Sequence, residues 1–205
     1  MTRRSPPDHL VVLLHGLGRT PRSLARMDRA LSAAGFETLR LGYRSMRAPI
    51  EQHARRVATR LGELPMPRRL SFVSHSLGGL IVRQLFSFDE PWRSALSRVV
   101  MLAPPNNGAS LASILDRGGL LRGIMGPSFA QIAEGFAETL PIPDVPFAIF
   151  AGDLAGPLGD GLLRVEETRL EGAAEHHVVP AIHTFIMNHP AVIRGTTAFL
   201  RAPPH

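Results

Sequence analysis

RLSFVSHSLGGL, residues 69–80, holds two patterns in one short stretch: an apolar run suited to a buried strand, then Ser74-His75-Ser76, then Gly78-Gly79 opening a helical segment. Everything depends on which serine stands at the corner. A turn that lifts a side chain sharply above a sheet strains the backbone, and it accepts only small residues two before and two after that side chain. Around Ser76 those positions are Ser74 and Gly78. Around Ser74 the earlier one would be Phe72, which is far too bulky. Ser76 is the candidate nucleophile and Ser74 a spacer, with serine standing where the G-x-S-x-G pattern has its first glycine. The competing reading is a polar end to an ordinary buried strand, and the rest of the chain has to decide.

Outward from this stretch, apolar runs alternate with helical periods. HLVVLLHG (9–16) is continuously apolar, as a strand covered on both faces should be. A helix is predicted over 21–34 and a strand over 37–43. In 48–64, Ile50, Val57, Leu61 and Leu64 recur at helical steps and define one buried face. Residues 69–76 form the third strand and 77–88 the next helix. Further strands are predicted at 98–105, 146–153 and 176–181, and a last helix over 190–200. Such alternation forces parallel pairing and right-handed crossovers. The expectation is a single α/β domain over 1–205, with a doubly wound, mostly parallel sheet of about six strands and helices on both faces.

Composition agrees. The 205 residues are 44% hydrophobic and 20% charged, in the range of folded globular chains. There is no cysteine, which excludes disulfides, thiolate nucleophiles and zinc–cysteine sites. All 23 basic residues are arginine, the net charge is +6, and 14 of the arginines fall in residues 1–69. They are scattered at helical spacing with no interleaved aromatics, which reads as solvated helix faces and predicts no nucleic-acid partner. Peripheral contact with a membrane surface stays open. The N-terminus passes from charge and proline directly into the first strand, so no signal peptide is expected, and no apolar run could span a bilayer. The expected location is cytoplasmic.

In doubly wound sheets, chemistry collects at the carboxyl ends of the strands. There the chain places His15, Ser76, Asn106 and Asn107, Asp153 and His183, with Asp160 in the loop after Asp153. An oxyanion formed at Ser76 needs two preorganised donors. The N–H of Leu77 opens the helix after the serine, where free donors and the positive dipole end favour an anion. The N–H of Leu17, in the glycine-flanked turn HGLG (15–18), is the natural second. His15 reads as a brace for that loop, and the His75 side chain is expected to point away from the serine.

HGLG after the first strand, SHSLGG at the corner, LAPPNNGA (102–109), and GDGLLRVEETRL (159–170) followed by VVPAIHTF (178–185) together resemble the α/β-hydrolase superfamily. Within it, the likeness is to small lid-poor bacterial lipases and esterases, over essentially the whole chain. The resemblance implies a triad in the order serine, acid, histidine. His183, in the loop after the last strand, takes the base's place. His189 reads as a helix cap, and His176 and His177 stand at the wrong end of their strand. Asp160, followed by an apolar helix and RLEGA (169–173), is the preferred acid, and Asp153 is the minority choice. The implied activity is hydrolysis of lipid-like or medium-chain acyl esters, small-molecule substrates, with neither metal nor organic cofactor. An acyltransferase or thioesterase would use the same triad, and a non-catalytic binding module on this scaffold is a further alternative. Residues 109–145, rich in glycine and large apolar side chains, are either a mobile cap lining an acyl pocket or ordinary helices covering the sheet. On the cap reading, Trp92 and the PNNGA turn are candidates for the same rim, though nothing in the spacing demands it. Oligomeric state is not legible.

Overall fold

Six strands form one sheet in the order β2-β1-β3-β4-β5-β6: β1 (His9–Leu14), β2 (Glu37–Leu41), β3 (Arg69–His75), β4 (Leu96–Leu102), β5 (Phe147–Gly152) and β6 (Glu175–Val179). Every neighbouring pair is parallel. The structure is a computed structural model describing residues 7–110, 120–155 and 159–203. Around the sheet lie α1 (Ala25–Ala33), α2 (Ile50–Gly62), α3 (Leu77–Leu85), α4 (Leu120–Met125), α5 (Pro127–Ala133), α6 (Val165–Thr168) and α7 (Pro190–Arg201).

The continuous apolar strands are explained by a core on each side of the sheet. Successive strand residues point to opposite faces. Leu10, Val12 and Leu14 of β1, Phe72 of β3 and Ile149 of β5 pack with α2 and α3. Val11, Leu13, Val73, Val100 and Phe150 pack on the other face with α1 and α7. Ile50, Ala54, Val57 and Leu61 put one face of α2 into the first core, as the spacing predicts. Each fully buried side chain of this size contributes about 1.5–3 kcal/mol.

Beyond small shifts at element ends, three details differ from the sequence reading. The helix predicted over 21–34 begins as a 3-10 turn, Pro21–Leu24, before α1. β4 starts at Leu96, straight out of the 3-10 turn Pro91–Ala95, and stops at Leu102. Pro104 and Pro105 cannot donate to a ladder, so the strand predicted through 105 ends before them. Trp92 is not on a rim: it is 2% exposed and packs in the core beside α2 and α3.

α4 and α5 lie within the predicted excursion at 109–145, of which 111–119 are outside the described residues. α5 is pinned to the loop before α2. The Ser128 hydroxyl donates to the Ala48 carbonyl at 2.8 Å, and the Ile50 N–H donates to Gln131 Oε1 at 2.7 Å. Among the described residues, no helix is long and apolar enough to cross a membrane.

The chain reverses direction across the sheet between β1 and β3, with β2 on one side and β3 on the other. A crevice at such a switch point is where doubly wound sheets bind ligands. Leu14 pairs in register with Ser74, so the turn after β1 and the corner after β3 meet at this crevice.

Candidate active site

Ser76 follows β3 and caps α3 with φ 51° and ψ −122°, in the positive-φ region that a side chain occupies only at a cost of about 1–3 kcal/mol. Its N–H is held by the Leu102 carbonyl at 2.9 Å. Its hydroxyl makes no cap bond to the helix, although it stands at the N-cap position. It lies instead 3.0 Å from Nε2 of His183. The small residues around it have steric reasons. Ser74 is fully buried with its hydroxyl on the Val100 carbonyl. A Cβ at Gly78 would lie 2.6 Å from the Leu14 carbonyl oxygen, so only glycine lets α3 approach β1 this closely.

His183 follows β6 in a 3-10 turn, His183–Asn188, and is 7% exposed. Its Nδ1 is 2.8 Å from Oδ2 of Asp160, and its N–H donates to the Asp160 carbonyl at 2.9 Å. With Nδ1–H donated to the carboxylate, Nε2 keeps the lone pair that accepts the Ser76 proton. Asp160 is 2% exposed, and its other oxygen accepts the N–H groups of Leu162 and Leu163 at 2.9 and 2.7 Å. Gly152, the last residue of β5, leaves room for this closure: a Cβ there would lie 2.8 Å from Cβ of Asp160. Asp153 turns elsewhere, accepting the Ala155 N–H at 2.9 Å. The structure thus brings together Ser76, His183 and Asp160 and leaves Asp153 apart.

The two donors proposed from sequence flank the serine. Leu77 is the first residue of α3, so its N–H belongs to the first-turn donors without an intrahelical acceptor. A Cβ added to Gly16 would lie 3.2 Å from the Ser76 Cβ, which shows how closely the Leu17 turn abuts the corner. That turn is braced from below. His15 Nδ1 donates to the Gly16 carbonyl at 2.9 Å, the Tyr43 hydroxyl donates to the His15 carbonyl, and the Gly18 N–H donates to Ser45 Oγ at 3.0 Å. Burial lowers the His15 pKa and raises that of Tyr43, so both stay neutral near pH 7.

His75 corrects an expectation. Its side chain does not leave the site: the ring lies 5.0 Å from the His183 ring, and Nε2 donates to the His183 carbonyl at 3.0 Å. Burial holds its pKa well below the usual value, so it is a neutral donor that fixes the His183 loop. His189 stands at the N-cap of α7 but makes no side-chain cap bond. His176 bonds Thr168 and His177 bonds Glu175, both away from the serine. Among the described residues, no group of His, Cys, Asp or Glu is arranged to hold a metal ion.

Arg83 went unremarked in the sequence. Buried in α3, it donates to the carbonyls of Leu140, Pro141 and Asn106 and to Asn106 Oδ1, at 2.6–3.3 Å. Burial lowers its pKa to about 10. Asn106 in turn donates to the Thr168 carbonyl at 2.9 Å, so the PNNGA turn is locked to α6. A cavity of about 310 Å³ opens beside Ser76 and His183, walled by Met125, Phe129, Ile132 and Leu163.

In sequence, no protein-family model and no curated protein matches the chain. In structure, it is similar to the mature form of the Bacillus licheniformis lipase BlEst2, with TM-score 0.72 and 16% identity over 97% of this chain and 94% of that one. It spans 51% of the propeptide form of that lipase. It is also similar to phospholipase PlaB from Legionella pneumophila (TM-score 0.70, 18% identity, 95% of this chain and 60% of that one). A third likeness is to a pyrethroid hydrolase from Sphingobium faniae JZ-2 (TM-score 0.65, 15% identity, 95% and 98%). The chain has the α/β-hydrolase fold and resembles small bacterial lipases and esterases in its architecture.

Proposed function

We propose that this chain is a serine hydrolase that cleaves carboxylic esters of lipid-like or medium-chain acyl groups through an acyl-enzyme intermediate. The observation that carries the reading is the unbroken relay from Ser76 Oγ to His183 Nε2 at 3.0 Å and from His183 Nδ1 to Asp160 Oδ2 at 2.8 Å. His183 takes the hydroxyl proton as Ser76 attacks the ester carbonyl. The N–H groups of Leu17 and Leu77 hold the resulting oxyanion, and each such donor is worth about 3 kcal/mol. Protonated His183 then gives its proton to the departing alcohol oxygen. Water, deprotonated by His183, attacks the acyl-serine and releases the acid. Asp160 keeps Nδ1 protonated throughout and stabilises the imidazolium. The apolar wall of α4 and α5 side chains favours a hydrocarbon acyl chain in the cavity.

A fluorophosphonate probe mapped by peptide mass spectrometry tests this without knowledge of the substrate. We expect labelling on Ser76, absent in Ser76→Ala and slowed at least a hundredfold in His183→Ala. Hydrolysis of p-nitrophenyl esters of graded chain length follows the same order of variants. A folded wild type that neither labels nor cleaves these esters overturns the proposal.

A further inference from the structure

The cavity lining includes one arginine, Arg19, and no carboxylate among the described residues. Arg19 follows the HGLG turn and is half-buried. Its guanidinium has five N–H donors. One makes a single long contact, to the Thr184 carbonyl at 3.5 Å, and the group lies 6.0 Å from the centre of the exposed Phe185 ring. Of the other described arginines in residues 7–69, Arg40, Arg55, Arg60, Arg68 and Arg69 each pair with a carboxylate, while Arg22, Arg26, Arg29, Arg44, Arg47 and Arg56 do not among the described residues and lie outside this cavity. Arg19 has no acidic partner among the described residues. A cation at a concave apolar site with most donors uncommitted is arranged to meet an anionic oxygen group.

Its place relative to the chemistry says which part of the substrate carries that group. The leaving alcohol oxygen must come within hydrogen-bond reach of His183 Nε2 to be protonated. Arg19 contacts the carbonyl of Thr184, the residue directly after His183. The apolar lining comes instead from α4, α5 and Leu163, the side suited to an acyl chain. We infer that Arg19 is a specificity residue that binds a phosphate or carboxylate on the alcohol portion of the ester, so that the preferred substrates are acyl esters of anionic alcohols. This rests on the ester-hydrolase reading above.

The test compares three decanoyl esters, each below the concentration at which it forms micelles: decanoylglycerol, decanoylglycerol 3-phosphate and decanoylglycolate. The phosphate and carboxylate arms distinguish which anion is read. Wild type is expected to show kcat/KM at least tenfold higher for one anionic ester than for the neutral one. Arg19→Gln should lower that ratio at least tenfold, chiefly through KM, and Arg19→Lys should recover part of it. Arg56→Gln, the same charge change on an exposed face of α2, should leave the ratio unaltered. Equal loss in Arg56→Gln would mean that net charge attracts the substrate, and it overturns the inference. So does a wild type that labels with fluorophosphonate and cleaves decanoylglycerol yet shows no anionic preference. A wild type that neither labels nor cleaves any ester fails at the earlier reading instead.

Discussion

Replacing Gly78 by alanine probes the steric basis of the corner. The added Cβ would lie 2.6 Å from the Leu14 carbonyl oxygen and 3.0 Å from that of His15. A close carbon–oxygen contact is about 3.3 Å, so α3 and the end of β1 must part by roughly 0.7 Å. Both obstacles are backbone, and no side-chain rotation relieves them. Overpacking of this kind costs about 1–3 kcal/mol, which for a chain of this length lowers Tm by about 2–12 °C. The same displacement moves the Leu77 N–H away from the Leu17 turn and disturbs the Ser76–His183 alignment. A misplacement approaching 1 Å costs on the order of a hundredfold in rate. Calorimetry and the fluorophosphonate labelling rate read the two effects separately. Gly62→Ala, at the end of α2 with nothing within 4 Å of its Cβ, is the control and should stabilise slightly. A Gly78→Ala variant as stable and as reactive as wild type refutes the reasoning.

Asp160→Asn should lower kcat/KM at least a hundredfold while Asp153→Asn stays within about twofold, because only Asp160 reaches His183; equal losses in an esterase assay would contradict the assignment. Acid should destabilise the fold. Burial lowers the pKa values of His15, His53 and His75, and that of His9 to about 4, so the folded chain binds fewer protons than the unfolded one below pH 6.5. Stability is therefore fully present above pH 6.5 and is lost as pH falls, by up to about 1.4 kcal/mol per pH unit for each proton difference. A Tm unchanged between pH 7.5 and 5 would contradict this. Arg83→Met should cost about 2–4 kcal/mol in urea unfolding, since it orphans the carbonyls of Leu140, Pro141 and Asn106. A variant with wild-type stability would remove Arg83 from its proposed role as a clamp.

Much of this molecule follows from local rules that a linear reading can apply. Continuous apolar runs in β1 and β5, and over the last four residues of β4, announce a sheet covered on both faces, because side chains alternate sides every residue. The size limit around a strained corner selects Ser76 over Ser74 from chain neighbours alone, and the structure puts Ser76 at positive φ. Tertiary structure decided what depends on residues far apart in the chain. Asp160 was preferred to Asp153, seven positions away, only on the resemblance of its loop, and the return of the chain after β6 is what brings His183 to Asp160. His75 was expected to turn away from the serine. Its partner is a carbonyl 108 residues later, which no local period encodes. Arg83 likewise looks like any arginine in the last turn of a helix until three loop carbonyls converge on it. Sequence determined the elements and the corner, through sterics and hydrophobic period. The contact between Asp160 and His183, the bracing of the histidine loop and the placing of Arg19 beside the cavity come only from long-range contacts that the packed sheet creates.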